Sequence, residues 1–120
     1  MLARVNRIAR AADFKSVVRS GRRFSTAHSV VYVARTAGTD ASRFGFIVSK
    51  TVGNSVARHR VTRRLRAIGF ELVPLIAPTD IVVRALPGCD EVHWATLQSE
   101  IVGAIERSGT PIMQGSEAQA

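Results

Sequence analysis

The chain has 120 residues, 46% of them apolar, which is enough for one domain with its own core. Seventeen Lys and Arg against nine Asp and Glu leave a net charge of +8, pointing to a polyanionic partner, and a single cysteine excludes an internal disulfide. No run approaches the roughly 20 apolar residues of a membrane span, and the N-terminal stretch lacks an apolar signal-peptide region, so a cytoplasmic protein with no membrane partner is expected.

The charge is unevenly spread. Residues 1–40 carry eight basic and two acidic side chains, residues 41–70 seven and none, and residues 71–120 two and seven. The basic surface therefore belongs to the first 70 residues. Arginine dominates it, and although codon bias yields the same preference, the planar guanidinium can hold phosphate with two hydrogen bonds or stack on a base.

Arg4 to Arg10 reads as an exposed basic arm. Asp13 is a candidate N-cap for a short helix carrying Phe14, Val17 and Val18 and ending at Gly21. Residues 22–26 give a weak first strand, Ser29 to Arg35 a strong β-branched second, and Phe44 to Lys50 a third. Ala37-Gly38-Thr39-Asp40 is the expected hairpin between the last two. Alternation along the second strand sets Val31 and Val33 on one face and Val30, Tyr32 and Ala34 on the other, leaving the aromatic on a face that need not be core.

Gly53 and Asn54 break the third strand, Gly53 as a residue tolerant of positive φ, and Asn54 or Ser55 caps a long helix. At about 100° per residue, Ala57, Val61, Leu65, Ile68 and Leu72 share one side of that helix. His59, Arg60, Arg63, Arg64 and Arg66 spread over the rest. A merely solvated helix would intersperse acids among its arginines, yet none occurs between Asp40 and Glu71. A surface of that kind is suited to phosphate.

Pro74 and Pro78 bracket the exit from the helix. Thr79 to Leu86 contains Ile81-Val82-Val83, a continuous apolar run suited to a strand buried on both faces, and Pro87-Gly88 turns it. A last helix from about Asp90 to Arg107 buries Trp94, Leu97, Ile101 and Ile105, assigning Trp94 to the core rather than to a base platform. The order α-β-β-β-α-β-α makes this an α+β chain with a four-stranded mixed sheet packed with helices. A single domain over residues 1–107 and a disordered tail over 108–120 are expected.

Side chains for unaided phosphodiester cleavage are scarce. A protein nuclease needs paired carboxylates for metal ions or a histidine pair for acid and base work. Here the acids lie mainly in the last 50 residues, and His28, His59, His93 and Cys89 lack metal-ligand spacing. Of the histidines, only His59 stands among the arginines.

Several motifs together resemble the protein component of bacterial ribonuclease P, over residues 4 to about 107. They are Val48-Ser49-Lys50, then Gly53-Asn54, then Arg58-His59-Arg60 followed by Arg63, Arg64 and Arg66; upstream stand Asn6-Arg7, Asp13-Phe14, Gly21 and Tyr32. The resemblance implies a sheet with helices against it and a left-handed β-α-β crossover, as in the second domain of a small-subunit ribosomal protein. It implies a subunit of an endoribonuclease in which RNA is catalytic and the protein aids metal-dependent removal of the 5′ leader from precursor tRNA. Lys50, Asn54, Arg58, His59, Arg60, Arg63, Arg64 and Arg66 would bind the catalytic RNA, and Phe14, Val18 and Tyr32 would line a cleft for the leader. No protein residue would be catalytic, and Mg2+ would be held mainly by RNA. His59 replaces the family's usual Asn, Thr62 its usual Lys, and Val18 a second Phe found in many members.

Two other readings compete with this one. A ribosomal or assembly protein could bind structured RNA without any role in cleavage, but would not need the combined Phe14, Tyr32 and Arg58-x-Arg60 pattern. A DNA partner is not expected, because a recognition helix normally sets Asn, Gln or Ser beside its arginines to read base edges.

Overall fold

The computed structural model describes residues 2–35 and 41–113, and the apolar run Ile81-Val82-Val83 organises it. These three side chains are 0% exposed, so β4 (Thr79–Ala85) needs cover on both faces. It also takes partners along both edges. β2 (Ser29–Arg35) pairs with it antiparallel and β3 (Arg43–Ile47) parallel, while β1 (Arg22–Ser25) pairs with β2, giving the order β1-β2-β4-β3.

The expected hairpin between β2 and β3 is therefore corrected. Residues 37–40 lie outside the described residues, but the strands they join are not partners, since β4 lies between them. A simple meander would have left β4 at an edge. Placing it centrally lets three fully apolar residues sit where both faces and both ladders are satisfied.

The register divides the sheet into two faces. One presents Val31, Val33, Phe44, Ile81 and Val83 to α2 (Ser55–Leu72) and α3 (Trp94–Arg107) in the main core. The other presents Val30, Tyr32 and Val82 to α1 (Ala11–Ser20), with Ile8 and Val17 completing a smaller cluster. Gly69 lets the α2 backbone close on the sheet, because a Cβ there would stand 3.3 Å from Phe44 Cγ and 3.4 Å from Phe46 Cζ.

Asp13 is not an N-cap. Arg10 occupies the cap position of α1 without a side-chain cap, and Asp13 lies within the first turn. Its partner is distant in sequence: Arg43 donates to Asp13 Oδ2 at 3.4 Å and to the two oxygens of buried Asp80 at 2.9 and 2.7 Å. This clamp fixes α1 to β3 and β4. The hydrogen bond to Asp80 raises the Arg43 pKa above its already high ordinary value, with desolvation opposing it.

The N-terminal segment keeps Arg4, Arg7 and Arg10 exposed, as expected, but it is docked on the domain. Arg4–Asn6 forms a 3-10 turn, Leu2 and Ile8 are buried, and Ile8 N donates to Phe44 O at 2.9 Å. Asn6 Nδ2 donates to Ser42 O at 2.9 Å, so the segment covers the outer edge of β3. The last helix starts later than expected: a 3-10 turn at Cys89–Glu91 comes first, and His93 Nδ1 then caps α3 by accepting from Ala95 N at 3.2 Å. The chain also stays packed beyond residue 107. Ile112 bridges to Ile76 and Met113 N donates to Leu75 O at 2.9 Å, so at least residues 108–113 of the expected tail belong with the domain.

Candidate nucleic-acid interface

The roll of α2 decides which arginines meet solvent. Asn54 rather than Ser55 is the N-cap, its Oδ1 accepting from Ala57 N at 2.9 Å. Gly53 has the positive φ expected of it, 159°, and it also allows a close approach, since a Cβ there would stand 2.9 Å from Ala57 Cβ. Val61, Leu65, Ile68 and Leu72 are buried, as their spacing predicts. With that side fixed inward, His59, Arg60, Arg63 and Arg66 are exposed, and Arg58 and Arg64 are half-buried.

The cationic residues divide into two flanks. On one, His59, Arg60, Arg63 and Arg64 join Val56, Ala67 and Trp94 around an open groove of about 710 Å³. On the other, Arg66 joins Arg4, Arg7, Ile8 and Ala9 around a second groove of about 590 Å³. The sequence marked both basic segments without placing them side by side. Docking of the N-terminal turn on β3 continues the basic surface of α2 around the molecule.

Arg64 and Arg58 differ from the fully exposed arginines. Arg64 Nη1 donates to Val92 O at 3.2 Å, tying α2 to the turn before α3. Arg58 Nε is buried with no partner among the described residues, and Thr62 Oγ1 donates to Arg58 O at 2.8 Å. Lys50 is exposed on the loop after β3, which is held by the buried Val52.

Phe14, Val18 and Tyr32 come together on the opposite face of the sheet, around Ile8, Val17, Val30 and Val82. Tyr32 lies on the expected face but is only 6% exposed. Alternation left open whether that face is core, and α1, lying across it, makes it so. Phe14 and Val18 are half-buried. Two exposed arginines flank this cluster in register, Arg23 opposite Tyr32 and Arg84 opposite Val30. In sequence Arg84 is masked by the acids of the last third, although alternation from buried Val82 places it on this face.

His28 and His93 have structural partners, His28 Nδ1 lying 3.0 Å from the Glu100 carboxylate and His93 capping α3. Cys89 is fully buried, and desolvation, with Asp90 and Glu100 nearby, raises its thiol pKa to about 11. Among the described residues no three or more His, Cys, Asp or Glu side chains cluster to hold a metal ion. The exposed arginines of α2 have the charge and geometry to hold phosphate.

The sequence matches the Ribonuclease P family over residues 2–109. The chain belongs to that family. It is 45% identical over 109 residues to the ribonuclease P protein component of Clavibacter michiganensis subsp. michiganensis, covering 90% of this chain and 96% of that protein. Against the component from Mycobacterium tuberculosis the identity is 39% over 109 residues, with 90% and 93% coverage. The fold agrees: the ribonuclease P protein of Staphylococcus aureus superposes with a TM-score of 0.78 at 26% identity, covering 86% of this chain and 94% of that one. This family member is thus a protein subunit of a ribonucleoprotein endonuclease, in the tRNA-processing role the family name carries. Among the described residues no helix is long and apolar enough to cross a membrane.

Proposed function

We propose that this subunit meets the catalytic RNA through the exposed face of α2, with Lys50, Asn54 and the Arg4 and Arg7 turn, and holds the precursor tRNA leader against the opposite side of the sheet. Arg58, His59, Arg60, Arg63, Arg64 and Arg66 supply the first surface. Half-buried Phe14 and Val18 supply the second, with the largely buried Tyr32 beneath them and Arg23 and Arg84 at its rim. The reading is carried by the separation of a phosphate-binding helix and an aromatic cluster by one four-stranded sheet, so that two RNAs can be held at once.

The chemistry on each side differs. Arginines on α2 neutralise phosphates and release counterions, a contribution that needs no sequence readout. A single-stranded leader gains from ring faces and a basic track along its backbone. Cleavage itself belongs to the RNA, with divalent metal, Mg2+ in this proposal, held mainly by RNA.

The test is cleavage of precursor tRNA at low magnesium by protein alone, catalytic RNA alone, and both together. The protein alone is expected to be inert and to raise cleavage strongly when added to the RNA. Robust cutting by RNA-free protein would overturn this reading.

A further inference from the structure

Trp94 is the first residue of α3, and its stripe position marks it as core. It is only half-buried, however, and lines the α2 groove with Val56, His59, Arg60, Arg63, Arg64 and Ala67. The lining combines one large aromatic surface with three guanidinium groups and contains no acid. Arg64 is already anchored beside the indole by its hydrogen bond to Val92 O, so part of the groove is ordered before any ligand arrives.

An RNA duplex could use the arginines of this groove but not the indole, because A-form geometry offers proteins backbone and 2′-hydroxyls while its bases stay stacked. An unpaired nucleotide can use both. We propose that the groove is a base pocket for one unpaired nucleotide of the catalytic RNA, with the base stacked on Trp94 and its phosphate held by Arg60 and Arg63. The proposal rests on the assignment of the α2 face to the catalytic RNA. That source is favoured over the precursor tRNA leader because the sheet separates the groove from the Phe14 and Tyr32 cluster.

Trp94 is the sole tryptophan of the chain, so intrinsic fluorescence reports the groove directly. Titration with the catalytic RNA is expected to quench emission to saturation and to shield the indole from acrylamide, while a fully paired RNA duplex leaves emission unchanged. Trp94→Leu should lose about 5- to 150-fold in affinity for the catalytic RNA without changing the slope of log affinity against log salt, and Trp94→Phe should recover most of the loss. Equal quenching by duplex, or stronger quenching by precursor tRNA than by the catalytic RNA, overturns the pocket or its source. So does unchanged affinity of a folded Trp94→Leu variant. If that variant does not fold by circular dichroism, the fluorescence arms on the unaltered protein decide alone. A weak salt dependence of the unaltered protein would instead overturn the α2 assignment, a result distinguishable from a quench that fails while the slope stays steep.

Discussion

The ring of Phe14 lies over Gly45, so closely that a Cβ on Gly45 would stand 2.5 Å from Phe14 Cε1 and 2.8 Å from Cζ. The aromatic of α1 thus occupies space left by a missing side chain on β3. Gly45→Ala must push the ring outward, and Ile8 Cβ at 3.1 Å limits the room for adjustment. The expected cost is about 1–3 kcal/mol of stability, measured by urea unfolding. If Phe14 holds the leader, binding of precursor tRNA should weaken while that of mature tRNA is unchanged; a variant as stable as the parent would show that the ring moves freely.

Arg60 and Arg64 should separate in a paired test. Arg60 is exposed, whereas Arg64 donates to Val92 O. Arg60→Ala is expected to leave unfolding unchanged and to shallow the salt slope for the catalytic RNA by about 0.7 to 0.9, one phosphate contact. Arg64→Ala should instead cost about 1 kcal/mol of stability through its lost hydrogen bond. Identical behaviour of the two variants in both measurements would remove the distinction between them.

What could be read from sequence follows the range of the forces involved. β2, β4 and α2 were legible because β-branched runs, the Asn54 cap and the Val61, Leu65, Ile68, Leu72 spacing act over a few residues. The misreadings involve partners far along the chain. Asp13 resembles a cap until Arg43 claims it, the exposed N-terminal arm shows no docking partner until Ile8 bonds Phe44, and β3 looks like the hairpin partner of β2 until β4 inserts. In the candidate site the charge of α2 was evident, but its division into two flanks depends on where α3 and the N-terminal turn dock. Arg64 and Trp94 acquire their positions from that docking.

Cys89 gives a pH dependence of definite sign. Its thiol pKa is raised from about 9 to about 11 in the folded chain. Between those values the unfolded chain gives up its proton while the folded chain keeps it, so stability is intact below about pH 9 and falls as pH rises to about 11, by roughly 2 kcal/mol. Cys89→Ala should remove this part of the alkaline loss, as judged by urea midpoints at pH 8 and pH 10.5 for both proteins. In the native protein at neutral pH the buried thiol should react with a thiol reagent only as fast as the chain opens. Rapid labelling without unfolding would contradict its burial.

Tyr32 requires a gentler substitution than alanine. Because it is 6% exposed within the smaller core, Tyr32→Ala would leave a cavity costing about 3–5 kcal/mol, and lost binding would then report lost folding. Tyr32→Phe keeps the ring and should bind precursor tRNA like the parent if the ring alone matters. Phe14→Leu keeps comparable bulk beside Gly45 but removes the π-face, and should weaken precursor binding by about 1–3 kcal/mol while leaving mature tRNA unaffected. Arg84→Ala should shallow the salt slope for the precursor by about one contact without altering stability, since Arg84 is exposed. Equal losses for precursor and mature tRNA in Phe14→Leu and Arg84→Ala would move the leader away from this face of the sheet.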